Sequence, residues 1–369
     1  MAMGDDSRRA ALLRPHVLTG GSISSITEVA RLAGVSTATA SRVVSLSDYP
    51  VSAATREKVL DAARELDYLP NALARGLIKS QIPLVGVIVH DITDPYFAEV
   101  VRGVEDAASD SGYLVITCSS ERDAARESSY VRLLRQMRAA AVIFAGSGLD
   151  DPVLNVELPK HIAAMRAAGA AVVHLSPHAS GEPEISVDNV GGIAKMVAAL
   201  VELGHERIAF LCGPASLYVA RDRLAGYRRG LADAGIEVDE RLVVTTGFTA
   251  DEGARAVDVL LSSGAPFTAI ACANDLLALG ALQRLHALGI DVPKQVSVCG
   301  FDDIPMAAMT APSLSTVRLP LREMGRRGFE YADCVLNGDE PIPSVIPTAV
   351  VLRDSTAPAP ATPLSRGSQ

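Results

Sequence analysis

Ser25-Ile-Thr-Glu28-Val-Ala-Arg-Leu-Ala-Gly34-Val-Ser36-Thr-Ala-Thr-Ala-Ser-Arg42-Val-Val44 reads as two short helices joined by a tight turn. Ser25 and Glu28 stand at capping-box spacing, where each side chain can satisfy the other residue's backbone N–H at a helix start. Ile26, Val29, Ala30 and Ala33 fall on one helical face. Gly34 follows them, suited to ending a helix in the left-handed conformation. Ser36 is placed to cap the second helix, and Ser52 a third. The third carries Val59, Leu60, Ala63 and Leu66 as its apolar residues. Helix, glycine turn and helix make a helix-turn-helix.

The outward face of the second helix holds Thr37, Ala38, Thr39, Ser41 and Arg42, and no acidic residue. A helix that enters the major groove needs short side chains near its N-terminus and excludes carboxylates that would face phosphate. The competing reading is a small helical bundle without a nucleic-acid role, whose solvated helix would mix Glu with Lys. The charge distribution agrees with a DNA-binding head. Residues 1–81 balance at +2 while the whole chain stands at −9, leaving −11 on the remainder.

Beyond this head the texture changes. Pro83-Leu-Val-Gly-Val-Ile-Val89 is a continuous apolar run, as a strand buried on both faces should be. Helix-like and strand-like segments then alternate to about residue 350, which implies parallel sheets with right-handed crossovers. Some 270 residues of this pattern exceed what one sheet usually holds, so two α/β lobes are expected, with ligands beyond the carboxyl ends of strands. The fold class is therefore α/β, with an all-α headpiece on a two-lobed core. The five cysteines show no CxxC pair and read as buried free thiols in a reducing compartment. No apolar run reaches transmembrane length and no export signal is evident, so a cytoplasmic location and no membrane partner are expected.

The sequence carries none of the enzyme signatures HExxH, GxSxG, P-loop or GxGxxG. His174 and His178 are four apart but flank Pro177, which argues against a helical metal pair. Neither metal nor cofactor is expected. An exported solute-binding protein is the other rival, and the added head counts against it.

The chain resembles the LacI/GalR (lactose-repressor/galactose-repressor) family of transcriptional regulators from about Ser25 to Arg353. The motifs are Glu28 to Val44, Val51-Ser-Ala-Ala-Thr-Arg-Glu-Lys-Val59, Leu66 to Leu77, Asp91-Ile-Thr-Asp-Pro-Tyr-Phe97, Val187-Asp-Asn189, Leu203-Gly-His-Glu-Arg-Ile208, Arg223-Leu-Ala-Gly-Tyr227, Ala273-Asn-Asp275 and Gly300-Phe-Asp-Asp303. Ser45 departs from the Asn that the family commonly carries.

The resemblance implies a DNA-binding repressor with a hinge helix and a core like the periplasmic sugar-binding proteins. It implies binding to palindromic, double-stranded operator DNA as a homodimer, with a tetramer the alternative. It also implies allosteric control by a small-molecule effector, a carbohydrate first and a nucleoside or purine second. The expected organisation is a disordered lead-in over 1–22, a helix-turn-helix domain over 23–69, a hinge over 70–81, a core over 82–353 and a disordered tail over 354–369. The first lobe is expected at about 82–184 and 316–347, the second at 185–315 and 348–353.

By position, Thr37, Ala38 and Arg42 match base-facing residues. Arg42 is the candidate for paired hydrogen bonds to guanine, with a phosphate contact as the alternative. Ser25, Ser36, Thr39, Ser41 and Ser52 read as caps or phosphate contacts. Asn71 caps the hinge, Arg75 reaches the minor groove or phosphate, and Leu77 matches the wedge leucine that kinks a base step, core packing being its alternative. Effector candidates are Asp94, Tyr96 and Phe97 from the first lobe, and Tyr218, Arg221, Arg223, Asn274 and Asp302 from the second. Arg223 and Asp302 are expected to grip vicinal hydroxyls from opposite sides. Tyr96 or Phe97 would stack on the ring, with core packing as the alternative for both.

Overall fold

In the computed structural model, residues 25–44, 50–68, 81–149, 157–178 and 184–365 are described. The lead-in over 1–22, Ser45 and the hinge residues Asn71, Arg75 and Leu77 lie outside them. The chain divides after Lys79 into two compact units.

The first unit contains α1 (Ile26–Ala33), α2 (Thr37–Val44) and α3 (Ala53–Glu65). Its core is Val29 and Ala30 from α1, Ala40 and Val43 from α2, and Val59 and Ala62 from α3. Small side chains let three short helices approach closely, and none of these helices is long enough to persist alone. Leu60, expected in the core, is exposed, because the helical period selects positions 59, 62, 63 and 66 instead. Gly34 ends α1 at φ +66°, and the Val35 N–H then reaches the Ala30 carbonyl at 3.0 Å. That left-handed residue turns the chain into α2.

The second unit opens with β1 (Ile82–Val89), α4 (Pro95–Asp110), β2 (Leu114–Ser119), α5 (Ala124–Gln136), β3 (Ala139–Phe144), α6 (Leu158–Ala167), β4 (Ala171–His174) and β5 (Ile185–Val187). Its parallel sheet runs β2-β1-β3-β4. Leu84 to Val89 are all buried, as a central strand covered by helices on both faces requires.

The chain then enters a second lobe: α7 (Asn189–Glu202), β6 (Ile208–Cys212), α8 (Tyr218–Asp233), β7 (Val243–Thr245), α9 (Ala250–Ser262), β8 (Ala269–Cys272), α10 (Asp275–Ala287), β9 (Ser297–Cys299) and β10 (Thr316–Arg318). Here the parallel order is β7-β6-β8-β9. It returns through α11 (Leu321–Leu336) and β11 (Ser344–Ile346), which pairs with β5, and finishes at β12 (Ala349–Val351), antiparallel to β10. α11 lies against α4 so closely that a Cβ on Gly103 would sit 2.0 Å from the Arg322 carbonyl oxygen, and one on Gly325 2.0 Å from that of Val100. Only glycine fits at either position.

Two expectations are corrected. Thr316–Arg318 belongs to the second lobe, not the first: Ser315 and Arg318 bridge to Cys299 and Asp302 beside β9. Residues 354–365, expected to be a disordered tail, are laid along the second lobe. Ser355 is fully buried and donates to the Val298 carbonyl at 2.6 Å, the Ala357 carbonyl lies 3.0 Å from His205 Nε2, and Leu364 bridges to Phe267. Composition suggested disorder, yet the tail supplies partners for polar groups at the sheet edge that burial would otherwise leave costly.

Candidate functional site

The headpiece presents α2 on its surface. Ser36, Thr37, Ala38 and Arg42 are exposed, while Thr39 and Ser41 are half-buried. Among the described residues α2 carries no acidic side chain. The Ser36 hydroxyl accepts from the Thr39 N–H at 3.1 Å, and Ser52 accepts from Thr55 N–H at 3.3 Å, so both serines cap helices. Ser25 and Glu28 close the expected capping box, at 2.7 Å from the Ser25 N–H to the Glu28 carboxylate. The backbone N–H and hydroxyl of Ser25 hold the Glu28 carboxyl below its usual range.

The second unit holds a cavity between its lobes, a common place for a small-molecule site. Its walls come from the carboxyl ends of strands: His90 and Asp94 after β1, Arg122 after β2, Gly146 and Ser147 after β3, Ser176 after β4, Phe248 after β7, Asn274 after β8 and Asp302 after β9. Strand ends meet there because both sheets are parallel and their helices start at that edge. In consequence three helix N-termini converge on the cavity. Asp94 caps α4 through the Tyr96 N–H at 3.0 Å, Asn274 caps α10 through the Leu277 N–H at 2.9 Å, and Leu217 begins α8 without a side-chain cap. Ser147 from the facing lobe accepts from Val219 N–H at 3.2 Å instead.

The polar centre is Arg223. Its guanidinium donates to Asn189 at 3.0 Å, to the Ala273 carbonyl at 2.5 Å and to Asp302 at 3.2 Å, and lies 4.0 Å from the Phe301 ring centroid. Burial pushes the Asp302 carboxyl well above the usual carboxylate range, against the opposing pull of Arg223. Asp94 is also raised, by desolvation. His90 is buried, 2.8 Å from the Ser147 carbonyl through Nε2, and desolvation with the nearby Arg122 charge drops its pKa to about 3. It is therefore a neutral donor at physiological pH.

Of the eight expected effector residues, Asp94, Tyr96, Phe97, Arg223, Asn274 and Asp302 line the cavity. Phe97 and Tyr96 both pack edge-to-face, their centroids 4.9 Å apart, so packing and lining are met by the same rings. Tyr218 and Arg221 do not line it. The phase of α8 turns Leu217, Val219 and Arg223 inward, while Arg221 stacks over Tyr218 at 4.9 Å on the outside. Nor do Arg223 and Asp302 face each other across a ligand: both stand on the second lobe and pair directly. Sequence reasoning missed Arg122, His90, Ser147 and Phe248. Arg122 follows the carboxyl end of β2, and that position was the one available signal.

Residues 25–71 match the bacterial regulatory proteins of the lacI family, and 197–356 match a periplasmic binding protein-like domain. The HTH-type transcriptional regulator DegA of Bacillus subtilis (strain 168) is 31% identical, over 91% of this chain and 98% of that protein. A Lac repressor dimer bound to operator and the anti-inducer ONPF superposes with TM-score 0.77 at 28% identity, over 90% of this chain and 99% of that one. The transcriptional regulator CelR in complex with cellobiose gives TM-score 0.65 at 33% identity, with the same coverage of each chain.

Proposed function

This chain belongs to the LacI family of bacterial regulatory proteins and is a DNA-binding transcriptional regulator, and we propose that it is a cytoplasmic repressor whose grip on a palindromic operator is set by a small polyhydroxylated effector. The observation that carries the DNA half of this reading is the exposed, acid-free surface of α2. Arg42 is assigned to guanine O6 and N7, Thr37 and Ala38 to base edges, and Ser25, Ser36, Thr39, Ser41 and Ser52 to positioning on the backbone. Asn71, Arg75 and Leu77 are assigned to the hinge, with Leu77 as the minor-groove wedge, on the strength of the family resemblance. Two copies of the chain act together, each reading one half-site.

The effector is assigned to the cavity between the lobes. A ligand held by both lobes favours one lobe arrangement over another, which makes it an allosteric ligand whose coupling to DNA is typically about 1–3 kcal/mol. It acts by binding, without turnover.

Selection from a random double-stranded DNA pool with the full-length protein tests this. The expected product is a two-fold symmetric site, and Arg42→Ala should relax one base pair per half-site by roughly 5- to 150-fold, the worth of a bidentate contact. No enrichment over bulk DNA, both alone and with a pooled metabolite extract, would overturn the regulator assignment.

A further inference from the structure

Arg122 is the one cavity residue whose chemistry the contacts above leave unanswered. Its Nε is fully covered yet has no hydrogen-bond partner. The side chain leaves a backbone that is left-handed at two successive non-glycine residues, Glu121 at φ +54° and Arg122 at φ +59°. Such a conformation costs energy and persists only where surrounding structure enforces it. It places the guanidinium on the cavity wall, 5.7 Å from the Phe248 ring centroid.

Charge bookkeeping around it is one-sided. Arg223 is matched by Asp302 at 3.2 Å, whereas among the described residues no carboxylate forms an ion pair with Arg122. Asp94, Glu252 and Asp91 act on Arg122 only through space, and for Asp94, the largest of the three influences, desolvation disfavours the charge and one oxygen already caps α4. His90, beside it, is neutral. The N-termini of α4, α8 and α10, capped by Asp94, Ser147 and Asn274, also end at the same space, and their helix dipoles add partial positive charge. A neutral polyol would leave the Arg122 guanidinium without an ion-pair partner. An oxyanion would answer it, and a fork of guanidinium donors matches carboxylate and phosphate geometry alike.

We propose that the effector is acidic, a polyol bearing a carboxylate or a phosphate ester, with its anionic group on Arg122 and its hydroxyls toward Asn274 and Asp302. This rests on the cavity being the effector site.

The test is calorimetric titration of the full-length protein with matched pairs at constant ionic strength. D-gluconate against D-glucitol differs only in the carboxylate, and glucose 6-phosphate against glucose only in the phosphate. The expected result is a preference for the acidic member of at least one pair by roughly 10- to 100-fold, the scale of a charge-assisted contact. Arg122→Gln should abolish that preference, the affinity for the acidic member falling to about that of the neutral one, and Arg122→Lys should keep part of it. Which pair responds distinguishes a sugar acid from a sugar phosphate. Equal binding within both pairs, a preference that survives Arg122→Gln, or no binding by either acid would overturn the proposal. Asp302→Asn and Asn274→Ala separate the two levels. Neutral-sugar binding that these variants remove, with Arg122→Gln silent, leaves the cavity assignment standing and sinks only the acidic effector. Binding that survives both variants sinks the cavity assignment itself.

Discussion

Replacing Arg223 with methionine should destabilise the core more than any other change in the cavity. Arg223 and Asp302 are 5% and 4% exposed, so neither charge is relieved by water. Arg223→Met removes the donors to Asn189, the Ala273 carbonyl and Asp302 together. Breaking a buried pair by deleting one partner costs about 3–5 kcal/mol, most of it from the charge left behind. The loss has a ceiling, because Asp302 can take up a proton. Its carboxyl already sits above the usual range, and without Arg223 it rises further. A carboxyl whose folded pKa exceeds its unfolded value favours the folded state at low pH, and that advantage disappears as pH rises through the folded pKa. The penalty of Arg223→Met should therefore be larger at pH 8 than at pH 5.5. Arg223→Met with Asp302→Asn removes the stranded charge and should recover about half the loss at pH 8. The chain has no tryptophan, so far-ultraviolet circular dichroism melts are the suitable assay, with a Tm drop of roughly 5–12 °C expected for the single variant. A loss below about 1 kcal/mol, or a double variant no more stable than Arg223→Met at pH 8, would refute this account of the pair.

Two further outcomes are expected. Gly34→Ala meets no atom within 4 Å but must hold φ +66°, so it should weaken the headpiece by about 1 kcal/mol, read as faster hydrogen exchange across residues 25–68 with the core unchanged. His90 is held neutral, and a depressed histidine leaves stability intact above its unfolded pKa of about 6.5 and loses it as pH falls toward about 3. His90→Gln should accordingly flatten the fall in Tm between pH 6 and 4, and an unchanged acid limb would show that other groups carry it.

What was legible in the sequence is what local physics decides. Ser25, Ser36 and Ser52 cap helices three residues ahead of the N–H groups they accept from, and Gly34 closes a turn within its own segment. A strand buried on both faces announces itself as the apolar run from Leu84 to Val89. The alternation of strands and helices then places a cleft at strand carboxyl ends, and Asp94, Asn274 and Asp302 follow such ends.

Only the tertiary structure decided which of those polar groups answer one another. Arg223 and Asp302 are 79 residues apart in sequence, and their pairing depends on the order in which β6, β8 and β9 lie side by side. The phase of α8 put Arg223 inside and Arg221 outside. The tail over 354–365 looked like a disordered segment because its composition offers little apolar surface, and it is held instead by hydrogen bonds to an edge that no local pattern reveals. Arg122 resembles any surface arginine until the sheet sets the end of β2 beside the cavity and leaves its Nε without a partner. Caps, turns and periodicity are written within a few residues, whereas the partner of a buried charge is chosen by topology.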